Sequence, residues 1–335
     1  MSHPALGLPS LDLTHPVEDL VVLRTVQGGE DLLVGLDVVA RSAGRLTCRV
    51  SGTLQQLHDL KLFSSLAVPL IDLASVRRSA ERGLISALRC AGPPRFRIAP
   101  GTPDAGLLRT ALASELGWIE DPGDWAVNFV ASPNGWEAEI GPLHWSRRFG
   151  RLERLPWSTK PVVGEILARL AKIRSGQRVV DPFCGTGTLL IAAARSAPDL
   201  AVFGADHDPS AIALAKANLD RCGVAASLTV ASADQLQHGD QSIDRVLANL
   251  PFGKLVGTHT GNTRLYPAAL REVARVLHPS GRAVLLTDDK RLFRTSVAAV
   301  PGLKIVRERR LSYGGVTPTI FCLIHARGKG RDPRC

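Results

Sequence analysis

The chain has no run of about 18 apolar residues, so a transmembrane helix is not expected. Its opening, Met1-Ser2-His3-Pro4, has no charged segment followed by an apolar one, so no signal peptide is read there. The 6 cysteines, at 48, 90, 184, 222, 322 and 335, are widely scattered and never spaced C-x-x-C. That scatter disfavours a structural zinc site and fits reduced thiols in a cytoplasmic protein. No metal and no membrane partner are expected. Internal repeats and low-complexity tracts are also missing.

What is present suits a folded, two-domain protein. A length of 335 residues allows two cores. Hydrophobic content of 45% with 21% charged residues is ordinary for a soluble globular chain. The formal charge of +10 is compatible with a polyanionic partner, although many basic proteins bind no nucleic acid.

Residues 1–150 read as a small α+β domain. Strands are expected at 17–26, 35–39, 46–50, 95–98, 125–131 and 136–140, and helices at 54–59, 74–88 and 107–116. The turn Ser132-Pro133-Asn134-Gly135 joins the last two strands. No catalytic constellation stands out here. Between 143 and 160, Arg147, Arg148, Arg151 and Arg154 fall close together with Lys160, opposed by Glu153. They read either as a solvated linker or as a phosphate-contacting strip.

From Pro161 onward strands and helices alternate. Helices are expected at 162–173, 188–196, 209–222, 266–277 and 290–299. Strands are expected at 178–181, 201–206, 227–231, 243–249, 282–287, 303–311 and 320–325. Pro279 and Gly281 are read as the stop of the fourth helix. The alternation predicts a doubly wound, mainly parallel sheet. The basic tail, 328–335, closes the chain.

Two stretches carry chemistry. In Asp181-Pro182-Phe183-Cys184-Gly185-Thr186-Gly187-Thr188, a strand end precedes two glycines and a helix start. Open α/β sheets bind ligands beyond the carboxyl ends of their strands. Gly185 and Gly187 let backbone approach a ligand, and a helix start offers N–H groups to a carboxylate. Asp206, 21 positions after Gly185, ends the next strand and suits a ribose. Asp234 follows the third strand and suits an adenine amine. Leu190 stands where a dinucleotide motif needs its third glycine, and no Lys follows the glycines as a phosphate loop requires. The ligand that combines carboxylate, ribose and adenine without those motifs is S-adenosylmethionine.

The second stretch is Asn249-Leu250-Pro251-Phe252-Gly253. The Asn249 side-chain oxygen can accept one N–H of an exocyclic amine. Leu250, extended before a proline, can aim its carbonyl at the other. Pro251 stiffens the turn, and the Phe252 ring offers a stacking face for a base. Such an amine is a poor nucleophile, because its lone pair is delocalised into the ring. Two acceptors favour a pyramidal nitrogen and stabilise the charge that develops. The pair of stretches points to N-methylation. Cys184 reads as a packed thiol, and His207 as a loop residue.

The segments 181–191, 204–208 and 249–253 resemble the THUMP-containing class I RNA methyltransferases. Among them, the similarity is greatest to enzymes forming N2-methylguanosine in tRNA. Leu155-Pro-Trp-Ser-Thr-Lys-Pro161 is similar to the segment that leads into their catalytic domain. Ala192 stands where family members often carry a Glu. The resemblance covers about 155–325, and over 1–150 it rests on element order. It implies a class I Rossmann-like methyltransferase domain at 151–327 behind a THUMP-like RNA-binding domain at 1–150. It implies Asp181, Phe183, Gly185, Thr186, Gly187, Asp206, His207, Asp234 and Asn249 around the cofactor. Asn249, Leu250, Pro251 and Phe252 would act on a tRNA guanine. Other acceptors fit the same clamp: adenine N6, ribosomal RNA guanine or a protein glutamine. A non-catalytic RNA-binding module is the reading from another class.

Overall fold

The computed structural model describes residues 9–150, 152–252 and 259–326. The chain separates into two compact units, 1–151 and 152–335.

The N-terminal unit is built on an eight-stranded sheet. In spatial order its strands are Asp37–Ser42, Arg45–Gly52, Val17–Arg24, Ser65–Leu70, Gly135–Ile140, Val127–Ser132, Arg95–Ile98 and Ile119–Glu120. Helices Leu73–Glu81 and Ala105–Ser114 accompany it. The hairpin expected at 132–135 is present, with Gly135 at φ +127. A Cβ there would meet the Leu70 carbonyl oxygen at 2.5 Å, so the neighbouring strand also requires glycine. The central strand Ser65–Leu70 has no counterpart in the sequence expectations. It carries Pro69, which argues against a central strand, and it is buried along most of its length. The helix expected over 74–88 stops at Glu81, and Leu84–Ala87 continues as a 3-10 turn.

A charged stripe ties this sheet together. Arg24 pairs with Glu137 and, at 2.7 Å, with Glu139. Asn128 donates to Glu139 at 2.6 Å and accepts from Arg97 at 2.9 Å. Glu137 is fully buried, so its charge must be compensated locally.

In the C-terminal unit the strand order is Ser227–Val230, Ala201–Asp206, Arg178–Asp181, Ile243–Asn249, Leu277–Thr287, Thr319–His325, Leu303–Arg310. The first five run parallel, and the last two add antiparallel. This is the doubly wound, mainly parallel sheet of the α/β expectation. Apolar runs such as Val179-Val180 and Val246-Leu247-Ala248 are buried, as strands covered on both faces must be. Asp208 caps the helix Pro209–Arg221 through Ser210 N at 2.8 Å, with Pro209 in its first turn.

The larger departures from expectation in this unit lie at the two ends of the fourth helix. The fourth helix begins at His259, seven residues early, because its first turns are polar and show no apolar period. Pro279 and Gly281 do not stop a helix; they lie inside the strand Leu277–Thr287.

Phe293, Tyr266, Leu285 and Phe321 lie in one core cluster under the sheet. Phe293 is fully buried and stacks on Phe321 at 4.4 Å between ring centres. Phe293→Ala is expected to lower stability by about 3–5 kcal/mol through lost contacts and a residual cavity. Urea unfolding followed by far-UV dichroism measures it; an unchanged midpoint contradicts this packing.

Candidate active site

The sheet brings the two sequence motifs together. Arg178–Asp181 and Ile243–Asn249 are adjacent parallel strands, with Val179 beside Arg245 and Val180 beside Val246. Their following loops therefore leave the same edge of the sheet. The strand order also reverses here, the position where open α/β sheets bind ligands.

In the first loop, Asp181 is 1% exposed and takes a hydrogen bond from Phe183 N at 2.9 Å. Its Oδ2 is buried without a partner among the described residues. Burial, and then the neighbouring Asp206 carboxylate, hold the Asp181 carboxyl well above the usual carboxylate range. Burial and the same two acids push the Cys184 thiol up, away from any thiolate role. Gly185 and Gly187 take φ of +49 and +81, which explains both glycines by backbone conformation alone. Thr186 is buried, and its hydroxyl pairs with Ser158 Oγ at 3.0 Å.

Asp206 ends the neighbouring strand. Its Oδ2 accepts from Gly185 N at 2.9 Å and its Oδ1 from Asp208 N at 3.1 Å. Each oxygen keeps a further lone pair. His207 lies beside it with an exposed side chain, 3.3 Å from Asp206 Oδ1. Asp234 is half-buried in the turn after the third strand. The structure thus gathers Asp181, Phe183, Gly185, Thr186, Gly187 and Asp206 around one loop.

In the second loop, Asn249 donates from Nδ2 to Thr159 Oγ1 at 3.0 Å. Its Oδ1 is buried and finds no partner among the described residues. Leu250 N donates to Leu286 O at 2.9 Å. The Pro251 carbonyl accepts two bonds of 2.7 Å, from Asn262 Nδ2 and from the Tyr266 hydroxyl. Tyr266 in turn pairs with Thr287 Oγ1 at 2.8 Å. Asn262 and Tyr266 stand one helical turn apart, so both reach the same carbonyl. Phe252 is half-buried. Gly253 lies outside the described residues.

Sequence reasoning read the segment before Pro161 as a linker or phosphate-contacting strip that leads into the catalytic domain, and gave its Ser158 and Thr159 no role in the site. It crosses the site. Asn218, fully buried, donates to Glu153 O and to Thr186 O, both at 2.9 Å, and accepts from Glu153 N at 2.8 Å. Ser158, Thr159, Asp181, Phe183 and Thr186 line one small cleft. Asn218 and Thr159 were the residues missed; Thr159 lies inside the segment 155–161 whose resemblance was the available signal, whereas Asn218 sits inside a helix with no motif that marks it.

The basic strip dissolves into separate environments. Arg147 lies over the Trp125 ring at 5.0 Å and pairs with Asp124 at 3.3 Å. Arg148 lies over Phe63 at 3.9 Å and donates to the carbonyls of His58, Leu60 and Phe63. Both guanidinium groups hold together the N-terminal unit, which is neither a solvated linker nor an open phosphate strip. Arg154 is exposed, desolvation by its surroundings lowers its pKa, and it donates to Ser158 O at 3.1 Å. Arg151 lies outside the described residues.

The sheet order and the glycine loop at its switch point define a class I, Rossmann-like methyltransferase fold. Residues 156–319 match the family model described as RMKL-like, methyltransferase domain. A tRNA (guanine(6)-N2)-methyltransferase of Thermus thermophilus is 36% identical over 206 residues, covering 59% of this chain and 60% of the relative. The mouse tRNA (guanine(6)-N(2))-methyltransferase THUMP3 is 28% identical, covering 53% of this chain and 40% of the relative. The chain thus spans less than two thirds of each of these relatives. Among solved structures, TrmN from Thermus thermophilus superposes with a TM-score of 0.70 at 27% identity, covering 92% of this chain and 99% of that one. No described helix is long and apolar enough to cross a membrane.

Asp181 makes a pH prediction. Its folded pKa lies above the unfolded value near 3.8, so between the two the folded state holds a proton that the unfolded state has lost. Stability then falls as pH rises above about 4. Asp181→Asn, which mimics the protonated form, is expected to be more stable than the parent at pH 7, with the gap closing towards pH 4. Thermal unfolding of the ligand-free proteins across pH 4–8 checks this; a constant gap contradicts it.

Proposed function

We propose that the chain transfers the methyl group of S-adenosylmethionine to the exocyclic N2 of a guanosine in tRNA. The observation that carries this reading is the Asn249 Oδ1. It is a buried acceptor, without a partner among the described residues, at the end of the strand beside the glycine loop. A group of that kind costs stability unless a donor arrives.

The residues fit the cofactor. Asp181 Oδ2 is a buried orphan facing a cleft, which suits a cationic ammonium group. Asp206 retains lone pairs for two hydroxyls, with Asp234 and His207 beyond it. Bound there, S-adenosylmethionine supplies a methyl group on a positively charged sulfur.

The acceptor side follows from the chain's own groups. Asn249 Oδ1 and the Leu250 carbonyl take the two N–H bonds of the amine and stabilise its growing positive charge. The bonds from Asn262 and Tyr266 to Pro251 keep that backbone from turning away. Phe252 offers its ring to the base. No side chain has to remove the proton before attack, because the nitrogen becomes acidic once methylated. A base in structured RNA must first leave its stack, at a cost of a few kcal/mol, so other contacts must hold the RNA. With Arg147 and Arg148 engaged internally, we assign this to the THUMP-like N-terminal unit and to the exposed Lys304, Arg307 and Arg310.

The test is incubation with methyl-labelled cofactor and separate tRNA, ribosomal RNA, DNA and protein fractions, followed by nucleoside digestion. N2-methylguanosine from tRNA is the expected product. Label in N6-methyladenosine or in glutamine overturns the acceptor, and no label in any fraction overturns the activity. Asn249→Ala is expected to lower turnover by on the order of 10²–10³ while calorimetry shows nearly unchanged cofactor binding. Replacing Lys304, Arg307 and Arg310 together should flatten the salt dependence of tRNA affinity, since fewer counterions are released. Equal slopes over a salt series would remove that strand from the RNA contact.

A further inference from the structure

Resting on the reading of Asn249 as amine acceptor, the geometry points to Thr159 as the residue that fixes how Asn249 presents its amide. An asparagine amide has an acceptor end and a donor end of nearly equal size, and its terminal torsion is broad. Only one orientation serves the reaction. With Oδ1 towards the amine the side chain accepts, whereas with Nδ2 there it offers a donor to a donor.

Thr159 Oγ1 takes the Nδ2 proton at 3.0 Å. Oδ1 is then left buried and open. In the turned amide the Thr159 hydroxyl could donate to the amide oxygen instead, but two N–H donors would then stand without partners where one oxygen now stands, and each unmade buried donor costs stability.

Thr159 can do this because it is itself held. Ser158 Oγ accepts from Leu155 N at 2.8 Å and pairs with Thr186 Oγ1 at 3.0 Å. Arg154 Nη2 reaches the carbonyls of Ser158 and Thr159 at 3.1 and 3.4 Å. Directly afterwards Lys160, its ammonium 5.3 Å from the centre of the Tyr313 ring, stands at the N-cap position of the helix Pro161–Ala171 without a side-chain capping bond. The hydroxyl is therefore presented from a closed turn rather than from a swinging chain. Thr159 is a positioning residue: it acts through Asn249.

The experiment compares Thr159→Val, which keeps the shape and removes the hydroxyl, with Thr159→Ser, which keeps the hydroxyl. Losing an acceptor outright costs on the order of 10²–10³ in rate, and disordering one costs a fraction of that. Thr159→Val is expected to lower kcat about tenfold at a cofactor Kd near the parental one, with the unfolding midpoint lowered only as far as one unpaired buried N–H requires, and Thr159→Ser to restore both. In an Asn249→Ala background the valine should add nothing, because the group it steers is gone. A purely structural role would lower the rate in both backgrounds.

A second readout does not depend on turnover. In ¹H–¹⁵N spectra of the ligand-free protein, the Asn249 side-chain pair is assigned by its loss in Asn249→Ala. It should shift and broaden in Thr159→Val but not in Thr159→Ser. An unmoved pair, or a valine variant with parental kcat, overturns the proposal for Thr159. A parent protein that methylates no RNA overturns the functional reading instead, and the spectra still decide the role of Thr159.

Discussion

One buried amide fastens the site together. Asn218, on a helix that packs beside the sheet, bonds both backbone groups of Glu153 and the carbonyl of Thr186. The loop that carries the glycines and the segment that carries Ser158 and Thr159 are therefore set by one side chain. Because it is fully buried, an unmade bond there would leave a polar group unsatisfied. The hydroxyl pair Ser158–Thr186 and the bond from Asn249 to Thr159 then carry the connection across to the second loop. Each link is an ordinary hydrogen bond. Their effect is cumulative, because each fixes the donor or acceptor of the next.

The electrostatics follow from the same burial. Asp181 is the deeper of the two acids, and the Asp206 carboxylate adds to burial in holding the Asp181 carboxyl up. Asp206 spends one lone pair on Gly185 N and another on Asp208 N, so it also shapes the glycine loop. Each loop leaves one buried oxygen without a partner among the described residues: a carboxyl oxygen at Asp181 and an amide oxygen at Asn249. Both are acceptors. A site whose open groups are acceptors suits ligands that bring cationic or N–H donors, which is the chemistry of an ammonium and of an exocyclic amine.

The C-terminal unit was legible almost element by element, since each parallel strand is a short apolar run between helical periods. The strands Arg178–Asp181 and Ala201–Asp206 lie where the sequence puts them. The N-terminal unit was less so. Its central strand Ser65–Leu70 contains Pro69 and has no alternation, because it is buried on both faces. The fourth helix of the C-terminal unit was read short, and its hidden first turns hold Asn262, which supports the Pro251 carbonyl.

The sequence by itself determined the chemistry that the site offers: two glycines in a strand-to-helix turn, acids at strand ends, and an asparagine before Leu-Pro-Phe. These are local, because each depends on residue type and on near spacing. Tertiary structure alone decided which polar groups stay open. Arg147 and Arg148 looked like a cationic strip, but each settled over an aromatic ring contributed by a distant part of its own unit. Thr159 looked like linker, yet its hydroxyl meets a side chain 90 positions away. Spacing along a chain cannot report such meetings, because hydrogen bonds form between neighbours in space and the sheet order chooses those neighbours.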